Sequence, residues 1–469
     1  MSMQTTFSIP SELPADRMVQ LLEWIRSYHL LLHPELFRHV RRGKVGNSPA
    51  VAFTVPGPGD SWELEAVLWV EGGLQVRTTR PDRATDEAVR WLSEDLTNVV
   101  RTLESELRES TISLIWVKGE EIIPEAKPSM TKGILGRLLS RTLLLLNILL
   151  FAFNIVLFLL FGLYAVLLIL LVQLLLIVFA DKLFTVMGKW TITEASPEVY
   201  IMDLRIGRES LDLIRKKKVD LTGLKEAVYE SSFGQGKEPN CSTISSTLLR
   251  FGILCSEDGI RVKTVNVLEL VKKAAEPFQA PLPKIIISNN PAPNAAASGI
   301  SFKRGVLLLT AGSLSALEEE ELLSVIGHEL GHLRGRDPLL LFALVSGEFI
   351  LRLTVLFPLF LLSPLLYLLV STFIIFFVAK FFEARADLLS VMKLGKPKVM
   401  ASSLRKIGAQ RLRVEEASKL SSWLRWDTHP PLYFRIERLE GMTEPVVVKH
   451  PLLESAKDVV RGFISAFRT

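Results

Sequence analysis

Two histidines four residues apart, with a glutamate directly after the first, stand in the stretch ELLSVIGHELGHLRGRD, residues 321–337. Histidine is scarce in this chain, at seven in 469 residues, so the pairing asks for a chemical explanation. On a helix, His328 and His332 fall one turn apart on the same face, where both reach a single ion. Glu329 is rotated by about 100° from His328, so it is not a natural third ligand. It can instead act as general base toward a metal-bound water, the division of labour in an H-E-x-x-H motif.

The motif needs a helix, and the flanking residues supply signals for one. Ser315-Ala316-Leu317-Glu318 reads as a capping box, and Glu318 to Glu321 put negative charge where the helix dipole favours it. Leu322, Val325, Ile326, Leu330 and Leu333 recur mostly at steps of three and four, giving one apolar stripe. Gly335 followed by Pro338 is a stop signal. Gly331 would cost about 1 kcal/mol inside a helix, so it asks for a packing or functional reason. The chain also contains a decoy. His29 and His33 have the same spacing, but Leu30 stands where the base would be and Pro34 follows, so this pair reads as structural.

A third ligand comes from Phe382-Glu383-Ala384-Arg385-Ala386-Asp387. On a helix Glu383 and Asp387 share one face. Glu383 would complete a His₂Glu set with an open position for water. Asp387, one turn on, would accept from the other ring nitrogen of a ligating histidine. The bland alternative makes Glu383 an interfacial charge like Lys380. Topology discriminates, because residues on either side of 339–381 share a face of the membrane only if the chain crosses an even number of times.

The membrane enters through composition. No charged residue occurs from Thr142 to Ala180. As one helix that run would be about 58 Å long, nearly twice the roughly 30 Å hydrocarbon core. Two short spans with a turn near Phe161-Gly162 fit better. Lys132, Arg137 and Arg141 precede the run and Lys182 and Lys189 follow it, as a hairpin with both ends in the cytoplasm would show. A second apolar region, Leu339 to Ala379, is interrupted by Glu348, Arg352, Pro358 and Ser363-Pro364. It reads as spans at about 339–357 and 365–381. Glu348 and Arg352, at i and i+4 in the favourable order, would face the bundle interior as a structural ion pair.

The remaining chain bounds the function from outside. A net charge of +5 is mild for this length, and no basic segment interleaved with aromatics suggests nucleic acid. Cys241 and Cys255 match no metal or redox spacing and read as ordinary thiols. Asn240-Cys241-Ser242 is formally a glycosylation sequon, and the N-terminus MSMQTTFSIPSELPAD has no apolar run of the signal-peptide kind. Residues 1–130 read as a soluble α+β domain, with helices near 15–32 and 86–107 and strands at 50–55, 62–70, 74–79 and 111–117. Glu71-Gly72-Gly73 makes a hairpin turn within it. Residues 131–190 hold the first membrane hairpin, and 191–280 read as soluble and mainly helical. In that region Arg215 to Lys218 is a solvated basic face and Gly234-Gln235-Gly236 a loop.

These motifs, with Asp337 five residues after His332, together resemble the HtpX-like membrane zinc metalloproteases, relatives of the CAAX prenyl proteases. The resemblance spans roughly residues 281–440 and the preceding hairpin. It implies a gluzincin-like domain over 281–469 holding one Zn²⁺ per chain through His328, His332 and Glu383, with Glu329 as base and Asp387 behind a ligand. Pro293-Asn294-Ala295-Ala296-Ala297 is similar to the family segment that pairs with substrate backbone as an edge strand; its bland alternative is a proline-bounded loop. His429-Pro430-Pro431 with Arg435 is similar to an element whose histidine or arginine steadies the oxyanion; by itself it reads equally as a turn followed by a helix start. The N-terminal domain departs from the family layout, where the first span comes near the N-terminus.

The fold expected is therefore a mostly α membrane protein with α+β soluble parts and two transmembrane hairpins. The function expected is that of an integral membrane zinc endopeptidase with a cytoplasmic site and cytoplasmic termini, acting within the lipid bilayer's reach on misfolded or damaged membrane proteins. A prenyl-protease-like peptide processor is the alternative within that class. The rival outside it is a membrane scaffold or sensor with a structural metal, which would need a fourth protein ligand and no Glu329.

Overall fold

The computed structural model describes residues 3–467 except 10, 12, 14–17, 72, 82–85, 110, 121, 123–152, 154, 163, 180–181, 183–188 and 207–219. Its first part runs β1 (Met3–Ile9), α1 (Met18–Ile25) continuing into a π-helical turn at Arg26–Leu30, β2 (Arg38–Val45), β3 (Ser48–Pro56), β4 (Glu63–Val70), β5 (Leu74–Arg80) and α2 (Asp86–Glu109). The strands form an antiparallel sheet in the order β1-β5-β4-β3-β2. Alternation along β4 buries Leu64, Ala66 and Leu68 on one face, against Leu21, Leu22 and Ile25 of α1 and Leu92 and Leu96 of α2. β1 and β2 were not legible as strands. β2 reads RHVRRGKV and lies at the sheet edge with hardly any residue buried, so no apolar alternation marks it. Gly72 of the expected hairpin turn lies outside the described residues.

Next come β6 (Thr111–Val117), α3 (Tyr164–Val178), β7 (Trp190–Ile192), β8 (Glu198–Arg205), α4 (Leu221–Ser231), α5 (Cys241–Arg250), β9 (Ile260–Asn266) and α6 (Val267–Ala275). β6, β8 and β9 form a three-stranded antiparallel sheet. The region expected to be mainly helical thus contributes two strands to this sheet, and β6 pairs with β8 along its whole length. The two cysteines correct the sequence reading: Cys241 and Cys255 form a disulfide, with Cα atoms 5.7 Å apart. Gly252, at φ +73°, turns the chain back after α5 and brings Cys255 to the start of that helix. Closing a loop of this size contributes about 3 kcal/mol. Asn240 caps α5 through its side chain, so the sequon asparagine is engaged in the fold. The basic run Arg215–Lys218 lies outside the described residues.

The last part begins with β10 (Lys284–Ser288), β11 (Ala295–Ser298) and β12 (Val306–Thr310), which join β7 in the order β11-β12-β10-β7. The helices that follow are α7 (Ala311–Ala316), α8 (Glu319–Gly335), α9 (Asp337–Leu353), α10 (Phe357–Leu362), α11 (Pro364–Leu394), α12 (Pro397–Ala417), α13 (Lys419–Trp423), α14 (Leu432–Glu440) and α15 (Pro451–Ser465). Ile285, Ile287, Leu307 and Leu309 form the apolar sheet face, packed on α6 and on Leu322, Ile326 and Leu330 of α8.

Among the described residues one helix, α11, is long and apolar enough to cross a membrane. α9 is shorter and carries Glu348 and Arg352 at 3.6 Å, the spacing expected of an internal pair. Of the uncharged run at 142–180, residues 142–152, 154, 163 and 180 lie outside the described residues. The rest contains a turn at Gly162 (φ +56°), with helical residues 155–161 before it and α3 after. Leu157, Ala165 and Ile169 pack against Phe349 of α9, which joins the two apolar regions into one cluster.

Candidate metal centre

α8 forms as its periodicity requires, but its start differs from the sequence reading. The capping box is Glu318 with Glu321, while Ser315 lies in the last turn of the preceding α7 and donates its hydroxyl to Asp203. A carboxylate from a distant strand outcompetes the local cap. The stop at Gly335 holds, with Arg336 in the left-handed region, and α9 begins at once. α8 then crosses α11 closely, and glycines explain how. A Cβ on Gly331 would lie 3.0 Å from the Ala386 carbonyl oxygen, and one on Gly327 would lie 2.3 Å from a Leu394 methyl. Gly331→Val should overpack this crossing and destabilise the fold by about 1–3 kcal/mol. Thermal unfolding checks it, with a lowered bound-metal content as the companion readout.

The crossing sets Glu383 opposite the histidines. His328 Nε2 and His332 Nε2 are 3.1 Å apart. Glu383 Oε2 lies 3.6 Å from the first and Oε1 lies 3.5 Å from the second. Tetrahedral ligands with bonds near 2.0–2.1 Å have edges of about 3.3 Å, so this triangle fits a zinc-sized ion. Glu383 Oε2 is buried without a hydrogen-bond partner, with Arg435 Nη1 3.8 Å away, and a buried carboxylate oxygen is costly unless cations face it. These three form a grouping that could hold a metal among the described residues. The decoy pair does not converge: His29 bonds Asp95 at 2.7 Å and His33 contacts Glu35 at 3.2 Å.

Each histidine of the cluster has a carboxylate behind it. His332 Nδ1 lies 2.6 Å from Asp337 Oδ2, and Asp337 is itself paired with Arg385. His328 Nδ1 lies 2.9 Å from Asp387 Oδ1, off the line a hydrogen bond needs. Arg435 grips Asp387 with Nε at 2.8 Å and Nη2 at 2.6 Å, and keeps Nη1 3.8 Å from Glu383. Burial opposes a proton on His328, but Asp387 and Glu383 beside it outweigh that and hold it up to about 10. Burial lowers His332. Burial likewise opposes the charge on Arg435, and Asp387 and Glu383 reverse that and keep it a guanidinium.

His429 occupies the rim, with Nε2 3.4 Å from Glu383 Oε1 and its side chain 45% exposed. Asp427 orients it, accepting from His429 Nδ1 at 2.9 Å and from its backbone N–H at 3.0 Å. Burial opposes ionisation of Asp427, but His429 and Arg411, whose Nη1 is 2.8 Å away, keep it a carboxylate. Asp427 and Arg411 escaped the sequence reading, and Asp337 entered it only as a motif position.

A cavity of about 1010 Å³ opens beside the cluster, lined in part by His328, Glu329, His429, Arg435, Asn294 and Ala295. β11 is the outermost strand of its sheet here, paired on one side with β12 from Ala295↔Leu309 to Ser298↔Val306. Thr310 fixes its start, since its hydroxyl accepts from the Asn294 N–H at 2.9 Å and its N–H donates to the Asn294 carbonyl at 3.1 Å. A Cβ on Gly312 would come within 2.1 Å of the Pro291 carbonyl oxygen, so this approach requires glycine.

Residues 262–443 match the model of peptidase family M48. The chain is 28% identical over 208 residues to the Protease HtpX homolog of Listeria monocytogenes serotype 4a (strain HCC23), covering 34% of this chain and 68% of that one. It is 29% identical over 215 residues to the Protease HtpX homolog of Caldanaerobacter subterraneus subsp. tengcongensis, covering 38% and 71%. The homolog from Thermodesulfovibrio yellowstonii is 28% identical over 215 residues, covering 38% and 75%. All the site residues described above fall inside the family match.

Proposed function

We propose that this HtpX-like chain of peptidase family M48 is an integral membrane zinc endopeptidase, with His328, His332 and Glu383 as ligands. The observation that carries the reading is the convergence of the buried Glu383 carboxylate with two histidines, its Oε2 without a hydrogen bond, beside a cavity that Glu329 lines. Zinc held there would act as a Lewis acid on the scissile carbonyl and make water a usable nucleophile near neutral pH. Glu329 takes the proton from the attacking water and delivers it to the leaving amine. His429, oriented by Asp427, donates toward the carbonyl oxygen as charge builds there. Arg435 has two of its nitrogens committed to Asp387, so it holds the ligand frame while Nη1 remains toward the site. Ala295, Ala296 and Ala297 offer the free edge of β11, to which a substrate segment adds as a further strand.

A structural metal would call for a fourth protein ligand, and the cluster among the described residues has three. The substrates we propose are misfolded or damaged membrane proteins. The test is cleavage of unfolded proteins by the full chain in detergent, before and after chelation. Cleavage should vanish on chelation and return with one zinc per chain. Undiminished cleavage by metal-stripped protein would end this reading.

We further propose that the site and both termini face the cytoplasm, because Lys and Arg flank the apolar runs while the turns near Gly162 and 358–364 carry neither. The Cys241–Cys255 bond pulls the other way, since disulfides persist mainly in oxidising compartments. The flanking charges act at insertion and set orientation, so they decide our assignment. Single cysteines at Glu94 and Ser418, both exposed, in a chain with Cys241 and Cys255 replaced, should resist membrane-impermeant labelling from outside intact cells. Labelling at Ser418 would put the site outside and agree with the disulfide; labelling at Glu94 alone would remove the first hairpin.

A further inference from the structure

α15 has two unlike faces. One carries Ser455, Val459 and Phe463 and packs into the molecule, with the Phe463 ring 5.1 Å from Phe377 of α11 and 5.9 Å from Trp423. The other carries Leu453, Val460, Ile464 and, just past the helix end, Phe467, exposed by 60%, 39%, 49% and 61%. On an ideal helix these four fall within about 60° of arc. Lys457 and Arg461 stand beside them, each paired with an acidic residue of the same helix, Lys457 with Glu454 at 3.5 Å and Arg461 with Asp458 at 3.4 Å. A stripe of large apolar side chains beside a charged face is the pattern of a helix lying in a membrane interface.

Its position agrees. α15 packs on α11 where the apolar part of α11 ends, at Phe377 and Phe381. Further along α11, Leu365, Leu369 and Ile374 are exposed by 72%, 44% and 52%, the surface a bilayer would cover. Trp426, exposed by 47%, sits edge-on to Phe376 at 6.2 Å, with Leu424 and Arg425 exposed beside it. Lys380 donates to the carbonyl of Asp427 and ties this turn to α11.

We propose that α15 and the 424–426 turn rest in the headgroup layer of the bilayer that α11 crosses. This rests on the reading of α11 as membrane-spanning. The apolar stripe and Trp426 sit at the acyl boundary, where aromatic rings concentrate. Arg425 extends to lipid phosphates, its stem covering apolar surface. The stripe adjoins the exposed apolar surface of α11, and one bilayer covers both. This seat reaches the metal centre through Arg438. Its Nε is 3.0 Å from Asp458 and its Nη2 3.2 Å from Ser455 Oγ on α15, while Nη1 donates to the Ala384 carbonyl at 2.7 Å, next to Glu383. The height of the cleft above the bilayer is thereby fixed, and segments just emerging from lipid are the ones it meets.

The test uses the full chain, with Cys241 and Cys255 replaced, in nanodiscs of phosphatidylcholine and phosphatidylglycerol. An environment-sensitive fluorophore is placed on a single cysteine at Leu369, Ile464 or Glu257, and lipids brominated in the acyl chain act as quencher. Leu369 and Ile464 should both be quenched, and the water-exposed Glu257 should not. Quenching at Leu369 without quenching at Ile464 would overturn the interfacial seat and leave α11 in the membrane. No quenching at Leu369 would remove the membrane reading and this proposal with it. A chain carrying Ile464→Glu and Phe467→Glu should lose several-fold in cleavage of a bilayer-anchored peptide while cleaving the soluble peptide as before. Equal losses on both substrates would reduce the stripe to a packing role and overturn the proposal.

Discussion

Glu329→Gln should abolish peptide cleavage while leaving zinc content unchanged. Glu329 is 8% exposed on α8, between the two histidines in sequence, and lines the cavity beside His328. Glutamine keeps its shape and volume, so the crossing with α11 and all three ligands persist. What disappears is a carboxylate able to hold the proton between attack and amine departure. General-base assistance is worth roughly 10²–10⁴ in rate, and here one group serves both transfers, so the loss should reach the upper end of that range. Atomic absorption on the purified variant, beside its cleavage rate, separates the base from the ligands. Full activity with full zinc would leave water activation to some other group and defeat the mechanism.

The sequence was most informative where local pattern and final geometry coincide. The helix bearing His328, Glu329 and His332 follows from its own apolar stripe, and Glu383 with Asp387 from one-turn spacing on the next long helix. The converging distances confirm neither role, but they bring together the residues that spacing singled out. What stayed hidden depends on contacts between distant segments. Asp337 could be seen as a motif position, yet its contact with His332 Nδ1 follows from the chain reversing at Arg336. Asp427 and Arg411 meet through packing of α12 against the turn before α14. Ser315 carried a valid local capping signal, and Asp203, over a hundred residues earlier in the chain, took its hydroxyl instead. The cysteine pair offered no recognisable spacing because a disulfide needs only a suitable Cα separation, which the turn at Gly252 provides. Edge strand β2 lacks a buried face, so periodicity had nothing to report.

Glu383→Ala and Asp387→Asn should part company in a way that tests the ligand assignment. In sequence the two carboxylates are near-equivalent, one turn apart on one helix face. In the structure they are not. Glu383 meets the Nε2 atoms of both histidines, on the inner side of the triangle. Asp387 lies behind His328 at Nδ1, with both oxygens bound by Arg435, and cannot turn toward the Nε2 atoms without breaking that pair. Removing Glu383 takes away one of three ligands, so the purified protein should hold little zinc and show no cleavage. Asp387→Asn keeps every ligand but weakens the orientation of His328, and such changes typically cost 10–100-fold in metal affinity or activity. Its zinc should therefore be lost only at low free zinc and recovered when zinc is added, with cleavage returning in proportion. The reverse ranking, with zinc intact in Glu383→Ala and unrecoverable in Asp387→Asn, would make Asp387 the ligand and require α11 to turn about its axis by nearly the angle that separates the two side chains.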